Sequence, residues 1–471
     1  MNEHAIWSYV TQAESRFRAL SDRVWATPET CYAETASVAA HKAELADQGF
    51  DLAETLAGIP TAIMGEAGTD GPVIAFLGEF DALAGLSQVA DLAEERPLEP
   101  GANGHGCGHN MLGSAAMLAA VAVKNWLAQT GTPGRVRYYG CPAEEGGAAK
   151  TFMVRAGLFD DVDIAITWHP NAIPAVMRGS SLSNARIDFH FEGRASHAAA
   201  SPQLGRSALD AAELMNVGVN YLREHMPDSA RIHYAYIDAG GISPNVVQGR
   251  AHVRYVVRDE TASKMMALLE RVRKVAAGAA LMTETQVSDR VLAAVSNLID
   301  NDPLVAAMQS NLEQLGPPRF TDLDRAYAAK FQATFSAEDI RDAYDRVGAQ
   351  PRNGQALADF VVPRDGPAVS LGGSTDVADV SWVVPTVQMW GANYAIGTPF
   401  HSWQMVAQGK SGPALTGMVH AAMVMAATGV DSILDVDLRE RAWANLRAKI
   451  GPEGYVCPLP DGAEPPIAAM A

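Results

Sequence analysis

Four short segments carry side chains that bind metal ions well, and each lies in a predicted loop or directly after an apolar run. They are Cys107-Gly108-His109, Glu144-Glu145, Trp168-His169-Pro170 and Phe400-His401-Ser402. Together they offer a thiol, three imidazoles and two adjacent carboxylates. A divalent ion takes about four ligands, and catalytic sites keep one position open for water. Five ligands and one spare carboxylate suffice for two ions and a general base, a set typical of a metal-dependent hydrolase.

Each motif alone has a plainer interpretation. Cys107 and His109 could stand in a glycine-rich turn with a buried thiol, although glycines also let a loop wrap closely around an ion. Glu144-Glu145 could be an acidic helix start, and His169 or His401 a hydrogen-bonded structural residue. The metal interpretation depends on the four signals occurring together. His105 could add a ligand, but a loop histidine is the favoured interpretation and the question stays open.

Alternating helical and extended patterns in the first 180 residues must position these side chains. The patterns predict helices over 4–27, 34–48 and 110–127, and strands over 61–65, 72–77, 135–140 and 162–167. This alternation predicts an α/β fold, a mixed and largely parallel sheet flanked by helices. Ligands of such sheets gather at the carboxyl ends of strands, where Glu79, Glu144, Glu145 and His169 fall. Glu79 could orient a ligating imidazole, or it could be a solvated acid in a strand-end turn.

A different pattern runs through the middle of the chain. Between residues 184 and 292 the order strand, helix, strand, strand, helix, strand is that of a ferredoxin-like α+β unit. Because His401 lies beyond this unit, the first domain must resume after it to complete the site. We therefore expect a catalytic domain formed by residues 1–182 and 296–471, with an inserted lid or dimerisation domain at 183–295.

Three residues of the inserted unit could contact a substrate. His197 follows the first strand of the unit in a loop and could reach a substrate carbonyl, although a solvated loop histidine is the plainer alternative. Asn245 and Arg258 could hold polar substrate groups, because an arginine fork matches a carboxylate with two hydrogen bonds. Surface ion pairing is the alternative for Arg258.

Composition limits the classes of function. The 471 residues carry a net charge of −18 that is spread along the chain, which argues against nucleic-acid and anionic-membrane partners. Four cysteines do not make a disulfide framework. The first 20 residues predict an amphipathic helix without the regions of a signal peptide, and no uninterrupted apolar run reaches about 18 residues. A cytoplasmic location is the resulting expectation.

Five motifs, in their order along the chain, resemble those of the aminoacylase and carboxypeptidase-G type dinuclear metallopeptidases. These motifs are GHGCGHNMLGSAA, CPAEEGGAAK, TWHP, GRASHAAASPQLGRSALDA and PFHSW. The thiol-containing CGH motif resembles that of the branch of this family that contains bacterial hippuricases and plant auxin-conjugate amidohydrolases. The resemblance covers essentially the whole chain. It implies two divalent ions, zinc or manganese, held by Cys107, His109, Glu145, His169 and His401, with the thiolate bridging.

The resemblance also implies roles for other residues. Glu144 matches the general base, His197 the histidine that polarises the scissile carbonyl, often in a neighbouring subunit's site, and Asn245 and Arg258 substrate-binding positions. Two departures stand out. Asn110 replaces the aspartate of the usual CGHD motif, which affects a neighbour of a ligand. Thr375-Asp376 replaces the common acidic pair.

The resemblance further implies that the substrate is an N-acyl or N-aroyl amino acid with a free carboxylate, and p-aminobenzoyl-glutamate is the first candidate. Aminoacylase or dipeptidase activity on other acyl groups is the alternative within enzymes. A binding protein for acylated amino acids and a structural-zinc or thiol-redox protein are alternatives outside that class. The resemblance leaves two kinds of partner open, a second copy of this chain in a homodimer or a homologous chain in a heterodimer.

Overall fold

The computed structural model describes residues 4–352, 354–366, 368–369 and 372–470. Its strands are β1 Asp51–Glu54, β2 Ile63–Thr69, β3 Val73–Glu79, β4 Gly134–Cys141, β5 Ile164–His169, β6 Ala175–Val176, β7 Ser183–Glu192, β8 Arg231–Asp238, β9 Arg250–Asp259, β10 Gln286–Val295 and β11 Thr386–Trp390. Its helices in the first half are α1 Trp7–Trp25, α2 Thr35–Asp47, α3 His109–Thr130, α4 Ala149–Arg155, α5 Ala208–Leu222 and α6 Ala262–Thr283. Those in the second half are α7 Asp302–Leu315, α8 Asp322–Gln332, α9 Ala337–Asp345, α10 Val377–Val383, α11 Trp403–Gln408, α12 Gly412–Leu434, α13 Val436–Ile450 and α14 Ile467–Met470.

Seven strands form the larger sheet in the order β1-β2-β4-β3-β5-β11-β6. The four central strands β4, β3, β5 and β11 run parallel, and β1, β2 and β6 pair antiparallel at the two sides. The mixed, largely parallel sheet expected from the sequence is therefore confirmed in its centre. The turn at 68–71 joins β2 to β3, but the two strands are not neighbours because β4 lies between them.

Helices α1, α3 and α12 pack together over this sheet and bury its apolar centre. Helices α3 and α12 are both long and apolar enough, by length and composition, to cross a membrane. In each, 83% of the most apolar window is buried inside the protein. Their apolar residues thus contact other helices and the sheet, as in the core helices of a layered fold.

The second sheet has four antiparallel strands in the order β10-β7-β9-β8. Along the chain these elements follow the order β7-α5-β8-β9-α6-β10, which is the β-α-β-β-α-β order of a ferredoxin-like unit. Ile187 and Phe189 of β7 are buried on the helix side, while Arg186 and Asp188 lie on the opposite face, where Arg186 is partly exposed and Asp188 is buried. The division into domains at 182/183 and 295/296 stays a prediction.

Two regions contain elements that the sequence patterns did not assign. The short edge strand β1 was not predicted, because only Ala53 among its four residues is shielded from solvent and no apolar alternation marks it. The polar stretch from 317 to 366 contains two capped helices, α8 and α9. Each begins with a capping box, from Thr321 to Asp324 and from Ser336 to Asp339.

Candidate metal centre and its cleft

Three neighbouring parallel strands deliver side chains to one edge of the larger sheet. Strand β3 ends at Glu79, β5 ends at His169, and the loop after β4 carries Glu144 and Glu145. Helix α3 begins at His109, directly after Cys107, at this same edge. The expectation that Glu79, Glu144, Glu145 and His169 fall at the carboxyl ends of strands is confirmed.

Gly108 makes the sharp entry into α3 possible. Its φ of +79° lies in the left-handed region, and a Cβ there would stand 2.3 Å from the Tyr394 hydroxyl. A larger residue would push Cys107 and His109 apart from the neighbouring strands. This glycine therefore fixes the relative position of the thiol and the imidazole.

The five predicted ligands form two groups of three that share Cys107. One group is Cys107, His109 and His169, and the other is Cys107, Glu145 and His401, with candidate ligand atoms within 4.8 Å of one another in each. The Cys107 Sγ lies 3.2 Å from His169 Nε2, and His401 Nε2 lies 3.4 Å from Glu145 Oε2. One thiol between two such groups is the arrangement that a bridging ligand requires.

His401 reaches the cluster from a strained loop. Its φ is +56°, uncommon for a residue with a side chain, and its backbone N–H donates to Gly106 O over 3.0 Å. This bond ties the His401 loop to the glycine-rich loop that carries Cys107. Backbone strain held by such contacts is frequent at functional sites.

Asp81, rather than Glu79, orients the His109 ring. Asp81 Oδ1 accepts from His109 Nδ1 over 2.9 Å, and Asp81 Oδ2 accepts the backbone N–H of Glu145 over 2.9 Å. This leaves His109 Nε2 facing the cluster, 3.4 Å from Glu79 Oε2. A carboxylate behind an imidazole fixes its tautomer. Asp81 follows Glu79 by two residues. The sequence alone does not show which of these two acids contacts the His109 ring.

Lys150 is a residue of the site that the sequence patterns did not identify. Its ammonium is fully buried and donates to Glu79 Oε1 and Asp376 Oδ1, each over 2.6 Å. The Lys150 backbone N–H also donates to Asp376 Oδ2 over 2.9 Å. Asp376 therefore serves a structural ion pair, which accounts for the carboxylate retained in the Thr375-Asp376 pair. Nothing in the local sequence distinguishes Lys150 from a surface lysine at the start of α4.

We expect Lys150→Met to destabilise the protein by about 3–5 kcal/mol, because it leaves two buried carboxylates without their cation. The free energy of unfolding in urea measures this. Lys42→Met is the matched control, since Lys42 pairs with Glu54 at an exposed site and should cost less than about 1 kcal/mol. Equal effects of the two substitutions would contradict the role given to Lys150.

The donor set fits a cation. Burial, followed by the charge of Glu145, raises the pKa of the Cys107 thiol, so that a bare thiolate is disfavoured unless a positive charge lies beside it. Burial, then His109, lowers the pKa of His169 to about 4, which keeps this imidazole neutral and able to ligate. Within the part of the chain that the structure describes, His109 Nε2 and Glu145 Oε1 are buried atoms without a hydrogen-bond partner.

Glu144 lies beside the two groups and lines the open cleft. The cleft has a volume of about 600 Å³. Besides the predicted ligands Cys107, Glu145, His169 and His401, its lining includes Arg346, Ser374, Thr375, Gln388, Trp390 and Phe400. Burial, then the carboxylates of Glu79 and Glu145, raises the pKa of Glu144. A raised carboxyl pKa suits a group that exchanges protons near neutral pH.

His105 and Asn110 both face away from the cluster. His105 Nε2 contacts the carbonyl of Val24 at 2.9 Å, and burial lowers the pKa of this ring to about 4. Asn110 Nδ2 donates to Ser21 Oγ over 2.9 Å and to the Gly409 carbonyl over 3.0 Å. The departure at Asn110 thus serves packing between α3 and its neighbours, and its side chain does not contact the candidate ligands.

Restoring the usual residue with Asn110→Asp should lower stability by about 1–3 kcal/mol, because a carboxylate cannot donate to the Gly409 carbonyl and remains buried. Chemical denaturation measures the loss. Bound metal per chain, determined on the folded protein, should be unchanged. A change in metal content at full stability would place Asn110 in the metal centre instead.

The three predicted substrate-contacting residues of the inserted unit differ in their position relative to the cleft. Arg258 Nη1 donates to Ser374 Oγ over 2.9 Å, at the wall of the cleft. His197 and Asn245 lie on exposed loops that do not line the cleft of the same chain. Within His197, Nδ1 accepts the backbone N–H groups of Ala199 and Ala200.

Arg186 was not predicted, yet its guanidinium lies against Gly146, directly after Glu145. A Cβ on Gly146 would stand 2.2 Å from Arg186 Nη1, so only glycine leaves room for this contact. The period-two alternation of β7 places Arg186 on the face of its sheet opposite to Ile187 and Phe189. Local sequence patterns do not predict a contact between this residue and a glycine 40 positions earlier in the chain.

Comparison with known proteins agrees with the geometry. The profile of Peptidase family M20/M25/M40 matches residues 75–358. The chain is 44% identical to one of the p-aminobenzoyl-glutamate hydrolase subunits of Escherichia coli strain K12, the one designated B, over 96% of each protein. It is also 27% identical to the Xaa-Arg dipeptidase of Mus musculus, over 94% of this chain and 92% of that protein.

Solved structures share the fold. The crystal structure of a dinuclear metal binding peptidase of the M20 family from Bacillus subtilis superimposes with a TM-score of 0.55 at 18% identity. The match covers 90% of this chain and 99% of that one. The chain therefore belongs to peptidase family M20/M25/M40 and is a metallo-hydrolase that acts on amide bonds with a divalent metal cofactor.

Proposed function

We propose that the protein hydrolyses the amide bond of N-aroyl amino acids, with p-aminobenzoyl-glutamate as substrate and p-aminobenzoate and glutamate as products. The observation that carries the proposal is the pair of three-residue ligand groups sharing Cys107, with the Glu144 carboxylate free beside them at the cleft. The identity to the Escherichia coli relative over nearly the whole chain supports the same substrate.

The ion-binding roles follow from the two groups. Cys107, His109 and His169 would hold one divalent ion, and Cys107, Glu145 and His401 the other, with zinc or manganese as the ions that suit this mixture of thiolate, imidazole and carboxylate. When bound, such ions supply positive charge that acidifies water and stabilises a developing oxyanion. Asp81 holds the His109 ring in the required tautomer.

Glu144 is the proposed general base. Its carboxylate takes a proton from the attacking water and afterwards delivers this proton to the nitrogen of the departing amine. The raised pKa of Glu144 serves both steps, because the group must accept and then release the same proton. Arg258 and Ser374, bonded to each other at the cleft wall, would receive a carboxylate of the substrate.

His197 is proposed to act in the site of a neighbouring subunit. Because its Nδ1 accepts two backbone N–H groups, the neutral ring carries its proton on Nε2, where it can donate to a substrate carbonyl. Asn245 lies on the loop beside that of His197, and the backbone carbonyl of Asn245 accepts the backbone N–H of Ala198. The Escherichia coli relative is named as one of several subunits of its hydrolase, which supports a heterodimer with a homologous chain, and a homodimer is the alternative. The four free cysteines support a cytoplasmic location.

The test is release of p-aminobenzoate from p-aminobenzoyl-glutamate by the purified full chain supplied with manganese or zinc. A dipeptide with C-terminal arginine is the comparison substrate, chosen because the mouse relative is named a Xaa-Arg dipeptidase. We expect release from the first substrate and little cleavage of the second. The opposite preference would replace the proposed substrate. No release by metal-loaded protein would indicate another acyl group or a missing partner chain.

A further inference from the structure

A second guanidinium lies beside the proposed carboxylate-binding Arg258. Arg186 and Arg258 stand on adjacent antiparallel strands, and because Arg186 pairs with Val256, Arg258 is its diagonal neighbour on the same face. The guanidinium of Arg186 rests on the Cα of Gly146, next to Glu145. Each positive side chain thus contacts the border of the cleft from the side of the second sheet, Arg186 at Gly146 beside the lining residue Glu145 and Arg258 at the lining residue Ser374.

Among the residues that the structure describes, Arg186 has no carboxylate partner. Its hydrogen-bond contact is Nη1 to Met470 Sδ at 3.9 Å, a weak acceptor. Its cross-strand neighbours, Val256 and Ala293, carry no acceptor on their side chains. Asp188, two residues along the strand, is already paired with Arg254 at 2.7 Å.

This arrangement is costly without an anion. Burial lowers the pKa of Arg186, and burial followed by the charge of Arg186 lowers the pKa of Arg258. Both shifts mean that the charged forms are destabilised where they lie. Neighbouring desolvated charges of the same sign are tolerated when a ligand of opposite charge joins them.

We propose that Arg186 binds the side-chain carboxylate of a dicarboxylic amino-acid moiety in the substrate, while Arg258 binds its α-carboxylate. The protein would thereby select acylated glutamate or aspartate over neutral and cationic amino acids. Two guanidinium forks satisfy two carboxylates, whereas a neutral side chain leaves Arg186 unpaired and a cationic one adds repulsion. This inference rests on the proposed function and adds the residue that sets its specificity.

The test compares p-aminobenzoyl-glutamate with p-aminobenzoyl-glutamine, which has the same shape but a neutral side chain, and with p-aminobenzoyl-aspartate. For Arg186→Met, we expect kcat/KM on the glutamate substrate to fall about 10- to 100-fold, while the value on the glutamine substrate changes little. Arg186→Lys should retain an intermediate preference, because it keeps the charge but loses the fork. Comparison of the glutamate and aspartate substrates decides which chain length fits.

Arg250→Met is the matched control. Arg250 lies on the same face of β9 but at the outer end of the sheet, where its side chain is 82% exposed and pairs with Asp238. Its removal should leave the preference unchanged. Thermal unfolding of all variants, compared with the unsubstituted protein, separates loss of folding from loss of binding.

A measurement of equilibrium binding tests the role of Arg186 independently of whether the protein hydrolyses the substrate. The same ligands are titrated calorimetrically into the metal-loaded Glu144→Gln chain with and without Arg186→Met. We expect the preference for glutamate over glutamine to disappear with Arg186→Met, even if the protein hydrolyses neither ligand. An unchanged preference in this binding measurement would overturn the role of Arg186, whether or not p-aminobenzoate is released.

Discussion

Glu144→Gln should lower kcat by about 10²–10⁴-fold while the protein keeps its metal. The amide has the shape of the carboxylate but cannot take a proton from water. Glu144 belongs to neither of the two groups that share Cys107, so its replacement leaves their five ligands in place. Turnover measured together with bound metal per chain tests this expectation.

The stability of Glu144→Gln gives a second readout. Burial and neighbouring carboxylates raise the pKa of Glu144 in the folded state, so the folded state binds this proton more tightly than the unfolded state. Above the unfolded pKa, the ionised carboxylate therefore costs stability in the metal-free protein. We expect metal-free Glu144→Gln to unfold at the same or a higher temperature than the unsubstituted protein at neutral pH. Glu145→Gln is the contrast, since it should lose metal as well as turnover.

Either of two results would remove Glu144 from the role of general base. One is turnover of Glu144→Gln close to that of the unsubstituted protein. The other is loss of metal in parallel with loss of turnover, which would make Glu144 a ligand. The second result would point to a different ligand group, because candidate ligand atoms of Glu144, Glu79 and His109 also lie within 4.8 Å of one another.

Cys107→Ser should release both ions, whereas His401→Ala should release one. The Cys107 thiol belongs to both groups of three, and a serine hydroxyl stays protonated at neutral pH and is a poor ligand for zinc. His401 belongs to one group alone. Metal analysis of the dialysed proteins measures the difference, and activity should be lost in both variants.

Cys457→Ser is the matched control for the thiol. Cys457 is partly exposed and lies outside the candidate metal groups, so this substitution should leave two ions bound. Retention of two ions by Cys107→Ser would contradict the bridging role. Loss of a single ion would reduce Cys107 to a ligand of one group.

Sequence patterns reached the metal groups because their chemistry is local. The pair Cys107 and His109 and the pair Glu144 and Glu145 are each close in the chain, and strand ends predicted by hydrophobic patterns place them at one sheet edge. The sequence analysis chose Glu79 instead of Asp81 as the acid that orients His109. The direction of each side chain at the end of β3 decides which acid faces the imidazole, and sequence patterns do not show this direction.

The remaining residues could not be found in this way because their partners are distant in the chain. Lys150 pairs with Asp376, 226 residues further on, and Arg186 rests on Gly146 across the two sheets. Neither contact leaves a local periodicity. The antiparallel placement of β2 beside β4 has the same cause, because the partner strand begins about 65 residues further along the chain than β2 ends.

The measurement that tests the account most directly is stepwise metal addition to the chelator-treated, folded protein, with p-aminobenzoate release and bound metal followed together. The account predicts no release from the stripped protein and activity that rises until two ions are bound per chain. Release by the stripped protein at the rate of the metal-loaded protein would contradict the account.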